Sequence, residues 1–258
     1  MEIFITLNNF IQVFFIGLIG LIMGSFISLV SHRLVSKEPI FFGRSKCVHC
    51  NSKLKIRSLI PLFSWLIQRG KCLNCSAKIS LRYPLIEAFC ALGFVLTFLA
   101  MKSVVDIKFI LYLAIFVTMF IMVVVDLEHY FIPDILQFIL VFLVMILTIH
   151  NGGLNSVYDG LKPSLAFLGF GFAIWLFFYY SAGIDGIGID DFKFFLIAGF
   201  MLGLNNLILF MFLSGAIGAI FGGIWQKLKK DETFPFAPAI CLSAYACLLI
   251  GKPVIYYS

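Results

Sequence analysis

The chain has 258 residues, 62% apolar and only 12% charged, with a mean hydropathy of +1.06 and a formal net charge of +6. A soluble domain of this length could not bury so much apolar surface in one core. Secreted disulfide scaffolds, disordered regulators and ordinary cytosolic enzymes are therefore excluded, and an all-α polytopic membrane protein remains.

A spanning helix needs roughly 20 mostly apolar residues. The first apolar run covers 10–31. It is preceded by a stretch with no base and one acid, Glu2, and ends against Arg33. That flank pattern fits a first helix running from outside to inside, with no cleavable signal peptide evident. Residues 32–83 follow as a loop rich in Lys and Arg, in which Glu38 is the one acid. Few aromatics interleave with its bases, so the loop reads as a positive-inside topology signal rather than a nucleic-acid surface. Seven more apolar segments follow at 84–101, 109–125, 135–149, 164–182, 192–204, 206–225 and 236–257. The sixth is short, and Gly203-Leu204-Asn205-Asn206 separates it from the seventh by a turn signal rather than a charged loop. Threading eight helices from an outside N-terminus puts fifteen bases inside and four outside. Inside are those of the loop with Lys193, Lys227, Lys229 and Lys230, and outside are Lys102, Lys108, Lys162 and Lys252. The C-terminus is then outside. Breaks are expected at Pro133, Gly152-Gly153, Pro163 and Gly183 to Gly188, and no internal repeat stands out.

Seven cysteines divide into two groups. Cys90, Cys241 and Cys247 lie in apolar segments and read as small hydrophobes. Cys47-x-x-Cys50 and Cys72-x-x-Cys75 lie in the basic loop. Each CxxC puts two thiolates on one tight turn, and two such turns supply the tetrahedral four-sulfur set that zinc prefers. The spacing between the pairs is slightly wider than usual for such sites. A cytosolic loop disfavours disulfides. A structural zinc held by Cys47, Cys50, Cys72 and Cys75 is expected, with a redox dithiol as the alternative and His49 as a spectator.

Acids gather in two of the connections expected inside: Asp126, Glu128 and Asp134 in one, Asp185, Asp190 and Asp191 in the other. Ionisable groups at membrane depth mark functional positions. Asp126 closes an apolar helix, where the helix dipole disfavours a carboxylate. Asp134 follows Pro133 and reads as a helix cap, and Glu128 and His129 as loop surface. Asp190 and Asp191 are adjacent, so their side chains diverge by about 100° on a helix. One is expected to act chemically, the other to cap or face solvent. Two carboxylates brought together can share a proton, one acting as general base on water and the other as general acid to a leaving amine. That is aspartyl peptidase chemistry. A pair of helix caps and a transporter's proton relay are the alternatives.

Four motifs carry a resemblance to a known family. They are Gly24-Ser-Phe-Ile-Ser-Leu-Val-Ser-His-Arg33; the two CxxC pairs with Ile60-Pro-Leu-Phe-Ser-Trp65, Arg69-Gly70 and Arg82-Tyr-Pro-Leu-Ile-Glu87; Asp126 with Ile132-Pro133-Asp134; and Gly186-x-Gly188-x-Asp190-Asp191-Phe192-Lys193. In these, and in their order, the chain resembles the type IV prepilin peptidases, bifunctional leader peptidase/N-methyltransferases of the bacterial inner membrane. The resemblance implies cleavage, at the cytosolic face, of the basic leader of type IV prepilins and pseudopilins, the substrates of pilus and type II secretion systems. It implies N-methylation of the new terminus by S-adenosylmethionine, catalytic roles for Asp126 and Asp191, and zinc on the four cysteines. Its partners are these protein substrates and the lipid bilayer, with no nucleic acid. It divides the chain into a first transmembrane helix (1–31), a methyltransferase-associated four-cysteine loop (32–83) and a transmembrane peptidase domain (84–258). Two residues depart from the family pattern. Asp190 stands where GxGD has its second glycine, and Ser28 stands where the first motif has Asn. A peptidase without methyl transfer, and an inactive prepilin-binding homologue, are the alternatives these departures motivate. Glu87 is expected near the methyltransferase part, or in an ion pair with a basic loop residue.

Overall fold

The computed structural model describes residues 2–40, 43–182, 188–229 and 234–250. Gly183, Asp185, Gly186, Lys230 and Lys252 lie outside these. Among the described residues the fold is all-α, with no strand. In chain order the helices are α1 (Glu2–Ser36), α2 (Phe63–Ile67), α3 (Arg82–Ala100), α4 (Ile107–His129), α5 (Asp134–Gly152), α6 (Asn155–Ala182), α7 (Ile189–Leu202), α8 (Leu207–Lys229) and α9 (Ala237–Ile250). Each of the eight apolar runs forms a helix. Six are long and apolar enough to cross a membrane: α1, α3, α4, α5, α6 and α8. α7 and α9 have 14 residues each. At 1.5 Å per residue α7 rises about 21 Å, short of the roughly 30 Å hydrocarbon core, while α9 runs to Ile250, the last described residue. Large apolar side chains such as Phe138, Ile208 and Phe212 stand exposed on the helices, as lipid-facing positions do.

The chain forms two compact units, residues 1–109 and 110–258. In the first, α1 and α3 pack along one another. Gly20 and Gly24 form a small-xxx-small pair on α1. A Cβ on Gly20 would come within 2.6 Å of the Ala91 Cα, and one on Gly24 within 2.5 Å of the Glu87 Cα. The Arg82 guanidinium donates to the Ser31 hydroxyl at 2.8 Å, joining the ends from which the cysteine loop hangs. Arg33 then folds the loop's first residues by donating to the carbonyls of Pro39, Ile40 and Gly43.

In the second unit α6 packs on α7, α8 on α9, and α5 touches both α6 and α7. The break expected at Pro163 does not occur. α6 begins at Asn155 and carries Pro163 inside it. A membrane helix tolerates proline where a hydroxyl compensates nearby backbone, and Ser164 Oγ donates to the Gly160 carbonyl at 2.9 Å. The turn signal after α7 is a real boundary. Gly203 takes φ +71, Leu204–Asn206 form a 3-10 turn, and the Asn206 amide donates to the Leu202 carbonyl.

Candidate active site and cysteine centre

Asp126 lies in the last turn of α4 and is buried, with 6% exposure. One carboxylate oxygen accepts the Ala237 backbone N–H at 2.8 Å. That amide is the first of α9, and a helix N-terminus offers an unpaired donor of positive character. The dipole that disfavours Asp126 on its own helix is thus offset by α9. Asp191, in the first turn of α7, is 9% exposed, and its carboxylate accepts the Gly188 N–H at 3.0 Å. The two carboxylates lie within each other's electrostatic reach, and both lie within reach of the Cys241 thiol on α9.

Asp190 stays within electrostatic reach of both carboxylates but pairs with a lysine. Lys193 Nζ lies 2.9 Å from Asp190 Oδ1 and 2.6 Å from Asp134 Oδ1 on α5. Gln137 of α5 donates its side-chain N–H to the Asp190 carbonyl at 3.2 Å. Asp190 and Asp191 therefore diverge as adjacent helical residues must, the first toward a lysine and the second into the bundle. The expectation that Asp134 caps α5 is corrected. Pro133 holds the N-cap position without a side-chain cap bond, and Asp134 is the first helical residue, aimed at Lys193. Glu128 and His129 are partly exposed and 4.0 Å apart. Two participants escaped the sequence reading. Gln137 sits in an apolar helix three residues after Asp134, and that misplaced polarity was its signal. Ala237 acts through its backbone and leaves no signal.

The four cysteines converge as the spacing predicts. Their Sγ atoms all lie within 4.8 Å of one another, and Cys47 and Cys75 are 3.9 Å apart. Zn–S bonds of about 2.3 Å at tetrahedral angles require sulfurs about 3.8 Å apart, so the donor set fits zinc. His49 is exposed and outside the cluster. The two turns are built alike. Cys47 N–H donates to Ser52 O and Asn51 N–H to Cys47 O, while Cys72 N–H donates to Ala77 O and Ser76 N–H to Cys72 O. Asn51 and Ser76 both take positive φ, and lysine pairs Lys46–Lys53 and Lys71–Lys78 bridge the turns. A short repeat, Lys-Cys-x-x-Cys-x-x-Lys, was thus present after all. The Ser52 hydroxyl and then its backbone hydrogen bond lower the Cys50 thiol to about 6. At Cys75 the backbone hydrogen bond of Ala77 is outweighed by desolvation and the neighbouring thiols, which push it up to about 11, so without a cation the four thiols do not ionise together.

Between the two turns, the Trp65 indole donates to the Ile79 carbonyl, and its ring lies where a Cβ on Gly70 would sit. Gly70 also takes φ +65, so glycine is required twice over. Glu87 is 7% exposed and, among the described residues, forms no ion pair with a basic loop residue. It accepts the Leu62 N–H at 2.7 Å and a hydrogen bond from Ser25. A cavity of about 780 Å³ opens between α1, the loop and the start of α3.

Residues 18–101 match the Bacterial Peptidase A24 N-terminal domain, and residues 113–223 match the Type IV leader peptidase family. A Prepilin leader peptidase/N-methyltransferase of Bacillus subtilis (strain 168) is 34% identical over 250 residues, covering 92% of this chain and 94% of the relative. Proteins of the same name from Stutzerimonas stutzeri and Pseudomonas aeruginosa are each 30% identical over 266 residues, covering 92% of this chain and 90% of theirs. No solved structure matches the chain. Two domain matches in the expected order, and relatives aligned along nearly the whole length, place the chain in the type IV leader peptidase family.

Proposed function

We propose that this protein removes the basic leader of type IV prepilins or pseudopilins at the cytosolic face of the bacterial inner membrane, then N-methylates the exposed residue. The observation that carries the peptidase reading is the pair of buried carboxylates, Asp126 and Asp191, each fixed by a backbone amide. With one proton between them, the ionised carboxylate takes a proton from water as its oxygen attacks the scissile carbonyl carbon. The protonated one donates to the departing amine nitrogen as the C–N bond breaks. One carboxyl group is again protonated and the other ionised at the end, so the pair is regenerated. Fixing both groups before substrate arrives removes reorganisation from the reaction. The four-cysteine loop and α1 serve the methyltransferase part, and residues 84–258 the peptidase. S-adenosylmethionine supplies the methyl group, and zinc on Cys47, Cys50, Cys72 and Cys75 cross-links the two turns of the loop.

The helix ends expected inside assemble at one end of the second unit. α7 begins beside α5, and α9 begins beside the end of α4. Of the acids there, Asp134 and Asp190 share the single positive charge of Lys193, so the three together stay negative. A basic leader is therefore drawn to an edge that stays acidic at Asp134 and Asp190, with Glu128 and the pair adding to its charge.

Co-expression with a prepilin in a peptidase-null bacterium tests the reading, with the pilin's intact mass as readout. Wild type is expected to remove the leader and add one methyl group. Asp126→Asn and Asp191→Asn are expected to leave the leader in place. Leader loss with either variant would overturn the dyad.

A further inference from the structure

We propose that the cavity of the first unit is the S-adenosylmethionine site, with Glu87 facing the ligand's sulfonium and Ser28 holding one of its polar groups. The inference rests on methyl transfer as read above and adds where the donor binds. The cavity's volume of about 780 Å³ falls within the roughly 300–1,000 Å³ of small-molecule sites. Two groups on its buried wall lack what burial normally demands. Glu87 meets two neutral donors and, among the described residues, no cation within ion-pair distance. A buried carboxylate compensated only by neutral groups is costly. A sulfonium is a fixed positive charge without N–H groups, so it suits an acid whose hydrogen bonds are already made. Ser28 is 3% exposed, and its hydroxyl has no partner among the described residues. Buried polar atoms are otherwise nearly always satisfied.

The rest of the wall agrees. Trp65 offers an aromatic surface to a purine. Lys46 and Lys78, which also line the cavity, suit the carboxylate of the methionine moiety. Leu62, whose N–H holds the lining residue Glu87, takes φ +59, a strained backbone conformation that presents this donor to the carboxylate. The chemistry read from these residues is zwitterionic, with an acid at the buried end and bases outside. An anionic headgroup or phosphate would use the lysines and leave Glu87 uncompensated.

The test is isothermal titration calorimetry on the full-length protein in detergent, with S-adenosylmethionine and with S-adenosylhomocysteine, whose neutral thioether lacks the sulfonium charge. Wild type is expected to prefer S-adenosylmethionine roughly tenfold. Glu87→Gln keeps an acceptor for the Leu62 N–H and is expected to lose that preference. Ser28→Leu fills the cavity and is expected to weaken both ligands at least roughly tenfold. Equal zinc content in the three proteins verifies the fold of the loop. Wild-type-like binding by both variants overturns the assignment. So does a titration in which inorganic phosphate binds and S-adenosylmethionine does not. Failure of wild type to bind S-adenosylmethionine also overturns it. If recovered pilin then lacks the added methyl, the methyl-transfer reading falls too; if the methyl is present, that reading survives.

Discussion

In the first unit, four thiols are delivered by two copies of one local turn, each closed by its own backbone hydrogen bonds. In the second, two carboxylates arrive on α4 and α7, and Asp126 is anchored by an amide 111 residues away in sequence. The cysteine centre is local structure that a bound ion is expected to complete. The aspartate pair is tertiary structure throughout, and its geometry exists only when α4, α7 and α9 are all in place. The first should therefore fail by losing its metal, and the second by losing its chemistry while the fold survives.

The sharpest test of this contrast is Asp126→Asn or Asp191→Asn. Either retains an acceptor for its backbone N–H, so helix content by circular dichroism should be unchanged while leader cleavage falls at least about 10³-fold. Retained cleavage would dissolve the distinction between the regions. Cys72→Ser should take bound zinc from one equivalent per chain to none by metal analysis, because a structural site of this kind holds zinc by roughly 10–16 kcal/mol. Zinc retained at full occupancy would remove the thiol cluster as its ligand set. Gly24→Ala forces a Cβ to 2.5 Å from the Glu87 Cα and should cost about 1–3 kcal/mol of stability, read as a lowered melting temperature in detergent. Gly215→Ala on α8 meets nothing within 4 Å and should be neutral or stabilise by up to about 1 kcal/mol. A far smaller loss of cleavage than at the aspartates is expected at the lysine beside Asp190. Lys193→Met should slow cleavage about threefold to tenfold by releasing Asp190 toward Asp191, and Asp190→Gly in the same chain should restore the rate. No rescue would mean that Lys193 acts on substrate rather than on Asp190.

The same contrast explains what could be read in advance. CxxC pairs encode their own turns, so the convergence of Cys47, Cys50, Cys72 and Cys75 followed from spacing. Helix positions followed from apolar runs. The divergence of Asp190 from Asp191 followed from helix geometry, but which of the two turned inward came from the family resemblance alone. The Ala237 amide and the pairing of Asp134 with Lys193 depend on helices far apart in the chain, and no local pattern announces them. The continuation of α6 through Pro163 escaped for a related reason. Propensity marks a break, and a hydroxyl bond with packing in the bundle overrides it. Gly20 and Gly24 carried a legible signal, a four-residue spacing of glycines on an apolar helix, whose meaning became clear once Ala91 and Glu87 lay opposite.

That close approach has a consequence for how the chain can change over time. α1 and α3 are locked side by side by glycine contacts and by the Arg82–Ser31 bond. The chain therefore departs for the cysteine loop and returns from it at the same place. The entropy of bringing the loop's ends together is already met by the helix pair, and doubling the length between them adds only about 0.6 kcal/mol. The segment between Ser36 and Arg82 is thus an insertable cassette: it can be lengthened, exchanged or excised while the helices that frame it keep their register.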